Sequence, residues 1–199
     1  MNLLHLFAIP LFVVSFSGHP APDKAPNSEP VKKEIITIGK KETADEIPWM
    51  SERRLTWEDY LCDPVRNTDA VASTSTSLGI AYQVINGRLT YHITCGFSKT
   101  KSWGLVRTNY ILAHEQGHFD ITEIFARKLY EALQNYQFNR RTFKRDIGEI
   151  YQSIVRQKEE YQEQYDGDTD HSRNRKVQFK WLDSIDNLLS ETDVYSNYP

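Results

Sequence analysis

The chain predicts an α+β domain, an N-terminal antiparallel sheet with a hairpin packed on C-terminal helices. Three observations carry that prediction. Strand-like alternation is concentrated before about residue 100, a long helical pattern opens at Asn109, and two further helical patterns follow it. At 199 residues the chain has room for one domain with extensions, and that domain is large enough for a proper core.

The first segment is not part of that core. Residues 1–17 contain Leu3-Leu4, Leu6-Phe7-Ala8-Ile9 and Leu11-Phe12-Val13-Val14, interrupted by Pro10. The run is short for a membrane span, and Ser15-Phe16-Ser17 puts small residues where a signal peptidase reads. Residues 1–17 therefore read as a secretory signal cleaved near Ser17-Gly18, with an uncleaved anchor as the alternative. After cleavage no stable membrane insertion is expected, and the mature chain is placed in the periplasm or outside the cell. Residues 18–34 carry Pro20, Pro22, Pro26 and Pro30 among small and polar residues, a composition that cannot bury a core and reads as a flexible tether. Residues 35–199 are left as the folded domain.

Within it, Ile35-Ile36-Thr37-Ile38 is a short strand candidate, and Leu55-Thr56-Trp57-Glu58-Asp59-Tyr60 an aromatic cluster suited to core packing. The clearest local signal is a hairpin. Ile80, Tyr82 and Val84 alternate with smaller or polar residues, as do Leu89, Tyr91 and Ile93 beyond Asn86-Gly87. Asn-Gly is the preferred type I′ turn. With those two residues at the turn, Val84 faces Leu89, Tyr82 faces Tyr91 and Ile80 faces Ile93, all on one sheet face. The same register turns Cys95 inward. Cys62 and Cys95 are the two cysteines of the chain; an even count in an exported protein permits a disulfide without requiring one.

The helical half begins at Asn109. From there to Tyr136 no proline occurs, and Ile111, Leu112, Ile121, Ile124, Phe125, Leu129 and Leu133 recur mostly at three- and four-residue spacing. Ile147, Ile150, Tyr151, Ile154, Lys158, Tyr161 and Tyr165 form a second stripe, expected to stop at Asp166-Gly167. A last helix is expected over Val177 to Leu189, using Trp181, Ile185, Leu188 and Leu189. The net charge of -3 and pI near 6.1 give no electrostatic case for nucleic acid.

The first of these helices contains His114-Glu115-Gln116-Gly117-His118, an H-E-x-x-H motif, and is expected to serve as a zincin-like active-site helix. Residues four apart stack on one helix face, so His114 and His118 can offer two imidazole nitrogens to one ion. Glu115 stands beside that ion and can take a proton from a water whose pKa the metal has lowered to roughly 7. Gly117 has a helix cost of roughly 1 kcal/mol relative to alanine, which points to a tight approach there.

A catalytic zinc site normally has three protein ligands and an open position. Glu123 lies about 140° round the helix from His118 and Asp120 about 200°, at roughly 100° per residue, so neither easily completes the shell. The better place is Tyr165-Asp166-Gly167-Asp168-Thr169-Asp170-His171, which folds back over the motif if the two helices pack antiparallel. His171 is the first choice for the third ligand, with Asp166 and Asp170 as alternatives. Tyr165 is assigned a catalytic role, its hydroxyl donating to the oxyanion formed on an attacked carbonyl.

Leu55-Thr56-Trp57-Glu58-Asp59-Tyr60, Ser102-Trp103, Leu112-Ala113-His114-Glu115-Gln116-Gly117-His118-Phe119-Asp120-Ile121, Tyr165-Asp166 with Thr169 and His171, and Gln178 with Trp181 together resemble a family of bacterial proteins regarded as secreted zinc-dependent proteases and catalogued as a domain of unknown function. The resemblance implies one zinc per chain at His114 and His118, Glu115 as general base, and a place outside the cytoplasm. It also favours His171 over the aspartates. Such sequences often have glycine where this one has Ser172. The expected activity is hydrolysis of peptide bonds in a peptide or protein substrate. A noncatalytic exported metal-binding or interaction domain, and an amide hydrolase acting on cell-wall peptides, are the alternatives.

Overall fold

A computed structural model describes residues 41–65 and 68–199. The expected signal, the tether and the Ile35–Ile38 strand lie outside those residues. The described chain has the expected α+β organisation, an antiparallel sheet in the N-terminal half followed by three helices.

The sheet is built on the hairpin. Strands β3 (Thr76–Ile85) and β4 (Arg88–Ser98) are joined by Asn86 and Gly87, whose φ angles of 51° and 74° are the left-handed values a type I′ turn requires. Val84 pairs with Leu89, Tyr82 with Tyr91, Ile80 with Ile93 and Leu78 with Cys95, the register that the alternation predicts. Strand β1 (Glu46–Pro48) runs antiparallel along the end of β4, giving the order β1-β4-β3. A second, two-stranded ladder pairs β2 (Ala72–Ser73) with β5 (Trp103–Gly104). Cys95 is buried as expected, and no disulfide joins it to Cys62.

Helix α1 (Asn109–Asn135) starts where its capping residue dictates, with the Thr108 hydroxyl accepting from the Ile111 N–H. Helices α2 (Phe143–Thr169) and α3 (Arg175–Glu191) follow. Leu78, Ile93, Cys95 and Phe97 from the sheet meet Phe119, Ile121, Ile124 and Leu129 from α1 in one core, which Ile147, Tyr165 and Ile185 extend into α2 and α3. Among the described residues no helix is long and apolar enough to cross a membrane.

Helix α1 is covered by the sheet and by both other helices, so its polar side chains are buried with its apolar ones. Buried polar groups must be hydrogen-bonded to be tolerated. Asp120 accepts from the Trp49 indole at 2.8 Å and the Gln116 amide at 2.9 Å, and pairs with Arg54 at 3.0 Å. Burial pushes the Asp120 carboxyl up, and these donors oppose the push. Gln116 in turn accepts the Leu55 N–H at 2.8 Å. Glu123 pairs with Arg127 at 2.9 Å and accepts from the Tyr198 hydroxyl at 2.6 Å, while Arg127 donates to the Leu189 carbonyl at 2.6 Å. One side of α1 thus clasps residues 49–55, and another clasps the end of α3 and the segment after it.

Helix α2 departs from expectation at its end. It does not stop at Asp166-Gly167 but runs on to Thr169, and Asp170 caps it in the left-handed conformation. Thr169 explains the extra turn: its hydroxyl donates to the Tyr165 carbonyl at 2.7 Å, inside the last turn. A single glycine costs a helix only about 1 kcal/mol, and a satisfied end offsets that.

Truncating Glu123 removes an acceptor shared by a buried guanidinium and a buried phenol. Glu123→Ala is expected to lower stability by about 3 kcal/mol or more. Urea unfolding followed by circular dichroism measures it, and a loss below about 1 kcal/mol would contradict the clasp.

Candidate metal centre

Helices α1 and α2 run antiparallel past each other, so residues 114 to 118 of one meet residues 166 to 162 of the other. The contact is close because Gly117 has no side chain. A β-carbon there would stand 2.6 Å from the Tyr165 hydroxyl and 3.0 Å from its ring carbon Cζ. The phenol fills that space with its side chain fully buried, its hydroxyl donating to the His114 carbonyl at 3.3 Å. The His114 ring stacks on it, 4.5 Å between centroids and 22° between planes, and the His118 ring meets it edge-on at 5.1 Å. Trp181 of α3 backs the phenol at 5.4 Å.

Since α2 continues through residue 166, Gln162 and Asp166 share one helix face with the tyrosine, one turn apart. The Oδ1 atom of Asp166 lies 3.0 Å from His114 Nε2 and 3.1 Å from His118 Nε2. These three residues form a group able to hold a metal ion, their ligand atoms all within 4.8 Å of one another. In a tetrahedral zinc shell with bonds of about 2.0–2.1 Å, neighbouring ligand atoms stand roughly 3.3 Å apart. The donor spacing fits that shell, and two imidazoles with one carboxylate are suitable donors for it.

The protonation of the cluster follows from its contacts. Burial works to lower the pKa of His118, but the Asp166 hydrogen bond and charge outweigh it and push the imidazole up to about 9. Its second ring nitrogen, Nδ1, donates to Gln162 Oε1 in a short hydrogen bond. Asp166 shows the converse: burial works to raise its carboxyl, and the two histidines hold it well below the usual carboxylate range. Glu115 is buried, and its carboxylate makes no hydrogen bond among the described residues. Its charge is felt by Tyr60 and Tyr165, whose phenols burial pushes up first and Glu115 further.

The expected site residues separate at this point. His114, His118 and Asp166 come together, with Glu115 adjacent in the chain. His171 does not join the converging atoms; its side chain is 62 % exposed, and its Nδ1 is 3.7 Å from Asp166 Oδ1. The reason lies in the extended helix, which carries Asp166 inward and leaves His171 on the turn beyond. Asp170, His171 and Ser172 all have positive φ, at 49°, 48° and 69°, a left-handed turn that costs roughly 1–2 kcal/mol per non-glycine residue. It is held by the His171 N–H on the Asp166 carbonyl at 2.9 Å and by the Tyr110 hydroxyl on the Ser172 carbonyl at 2.6 Å. Ser172 therefore occupies a conformation in which glycine is unstrained. Asp170 is exposed and pairs with Arg173. Tyr165, expected to donate to an oxyanion, is fully buried, and its hydroxyl donates to the His114 carbonyl. Its work here is to support the imidazoles.

Two residues that the motif does not indicate also belong to the centre. Gln162 holds His118 through Nδ1, and its own amide donates to the His118 carbonyl at 3.1 Å. Gln178 of α3 is fully buried and donates to the Tyr110 carbonyl at 3.1 Å. The i, i+4 spacing of Gln162 and Asp166 could have flagged the first; nothing local flags the second.

Comparison with known proteins gives one family. The model of a family described as bacterial protein of unknown function (DUF922) matches residues 64–172. No curated protein and no solved structure matches the chain.

Two outcomes follow from the geometry. Alanine at position 117 gains about 1 kcal/mol of helix propensity, but its β-carbon meets a rigid buried ring, and overpacking of that kind costs about 1–3 kcal/mol. Gly117→Ala is expected to be net destabilising and to weaken metal binding, checked by thermal melts and metal titration; a more stable variant with unchanged affinity would contradict the close approach. The second concerns pH in metal-free protein. His118 has a raised pKa, so its contribution to stability is full below about 6.5 and is lost as the pH rises through about 9. Asp166 has a depressed one, so its contribution is full above its ordinary value of 3.8 and is lost in more acid solution. Melting temperature measured across pH 3 to 10, with His118→Gln as control, is expected to show both losses in wild type and to lack the alkaline one in the variant.

Proposed function

The chain belongs to this DUF922 family of bacterial proteins of unknown function, and we propose that it is an exported zinc-dependent peptidase. The observation that carries the reading is the convergence of His114 Nε2, His118 Nε2 and Asp166 Oδ1 beside a buried glutamate that makes no hydrogen bond among the described residues. A carboxylate spent on structure would be paired, as Asp120 and Glu123 are. Glu115 is instead left available, and metal binding alone has no use for it.

When bound, zinc would supply Lewis acidity, making water acidic near neutral pH and polarising a scissile carbonyl. The protein groups have the following parts. His114 and His118 would hold the ion through Nε2. Asp166 supplies the third donor and one negative charge. Glu115 takes the proton of the attacking water and delivers it to the leaving amine. Tyr165 and Trp181 hold the His114 imidazole in place from behind. His171, 3.7 Å from the Asp166 carboxylate, is the other candidate for third ligand. Export rests on the signal read at residues 1–17.

Metal analysis of the purified mature protein is the first test. One zinc per chain is expected in wild type and none in His114→Ala, while iron or no metal in wild type would refute the zinc reading. Glu115→Gln is expected to keep the zinc and lose about 10²–10⁴-fold in peptide hydrolysis. Asp166→Asn should weaken zinc binding more than His171→Ala; the reverse order would make His171 the ligand. Zinc without cleavage of any peptide would favour a noncatalytic domain, and cleavage restricted to cell-wall peptides an amide hydrolase.

A further inference from the structure

Among the described residues, three buried side-chain atoms lack a hydrogen-bond partner: Trp57 Nε1, His114 Nδ1 and Gln178 Oε1. The last two are complementary and belong to the same corner of the fold. Gln178 donates its amide nitrogen to the Tyr110 carbonyl at 3.1 Å. That carbonyl is also the one that receives the His114 N–H in the α-helical pattern of α1. The amide oxygen of Gln178 is bonded to the same carbon as that nitrogen, so it lies against the turn of α1 that runs from Tyr110 to His114.

The protonation state of a metal-binding histidine decides what its far nitrogen needs. An imidazole that gives Nε2 to a metal carries its proton on Nδ1 and must donate it, and the acceptor fixes both tautomer and ring orientation. For His118 that acceptor is in place as Gln162 Oε1. For His114 none is formed, although the atom is buried and an unpaired amide oxygen lies in the same corner. We propose that Gln178 is the positioning residue of His114. Its Oε1 accepts the Nδ1 proton, directly or through one enclosed water, as Gln162 does for His118. This rests on the metal reading given above and extends it to the residues that orient the ligands.

The arrangement distributes the work among the helices. Helix α1 supplies both imidazoles, α2 orients one of them through Gln162, and α3 orients the other through Gln178. It also explains a fully buried glutamine on a helix whose inward face otherwise carries Trp181 and Ile185.

The test compares zinc affinity and histidine spectra in full-length mature wild type, Gln178→Leu and Gln178→Glu. Leucine removes both the acceptor and the bond to Tyr110; glutamate removes that bond but keeps an acceptor. A purely structural role predicts that both variants suffer alike. The proposal predicts a zinc affinity 10- to 100-fold weaker with leucine, and near wild type with glutamate. In zinc-loaded wild type, long-range ¹H–¹⁵N spectra should show His114 protonated at Nδ1, with that proton slow to exchange. The leucine variant should lose the slow exchange while His118 keeps it. Wild type that binds zinc with a His114 Nδ1 proton exchanging freely, or a leucine variant with unchanged zinc affinity, would overturn the proposal and leave the metal reading standing. Wild type that binds no zinc would overturn both. If the leucine variant does not fold, the wild-type exchange rate and the glutamate variant still decide the matter.

Discussion

At Gly117 the backbone of α1 touches the phenol of Tyr165, and the whole centre is arranged around that contact. It sets how deeply α2 lies against α1, and through that depth it sets where Asp166 stands. A larger residue at 117 would lift the tyrosine, the tyrosine would lift the helix, and the carboxylate would move away from both imidazoles together. The stacked ring leaves the histidines little rotational freedom, so the energy of close packing is converted into precision at the donor atoms. A histidine pair on an exposed helix would have the same spacing in sequence and far less order.

The polar content of α1 follows the same logic. A helix wrapped on several sides ordinarily carries apolar residues round its circumference. Here Gln116, Asp120, Glu123 and Arg127 are enclosed as well, each paired with a distant segment. Those pairs are directional where apolar contacts are not, so they fix the rotation of α1 about its axis. Rotation is the coordinate that aims His114, Glu115 and His118. The unpaired Glu115 stands out against this background because its neighbours at 116, 120 and 123 are all engaged.

Much of this could be read from local patterns. The hairpin declares itself through Asn86-Gly87 and strict alternation on both sides, and α1 through its periodicity and the absence of proline. Both are short-range signals, and register and helix bounds obeyed them. The inward place of Asp166 was less accessible, since Gly167 resembles a stop signal and the hydroxyl of Thr169 that carries the helix past it bonds backward by four residues. With the boundary one turn later, Asp166 lies within α2 and His171 beyond its end. The packing of Tyr165 was hard to read for a related reason. Its place in sequence beside Asp166 is the same whether its ring lies over the imidazoles or under them, and only the packing of Gly117 decides between the two. The link of Gln178 to Tyr110 spans 68 residues and leaves no local trace.

The clasp at Glu123 has a bearing on when this protein can fold. The phenol that satisfies its carboxylate belongs to residue 198, 75 positions later, and the carbonyl of Pro199 receives the Ile93 N–H at 2.7 Å. Until those residues have been synthesised, the central helix holds a buried charge only partly compensated and the sheet edge lacks a partner. Contacts of such long separation close late and slowly. The central helix and the sheet are therefore locked together by the same two residues, 198 and 199, and a chain cut before them would lose both fastenings at once.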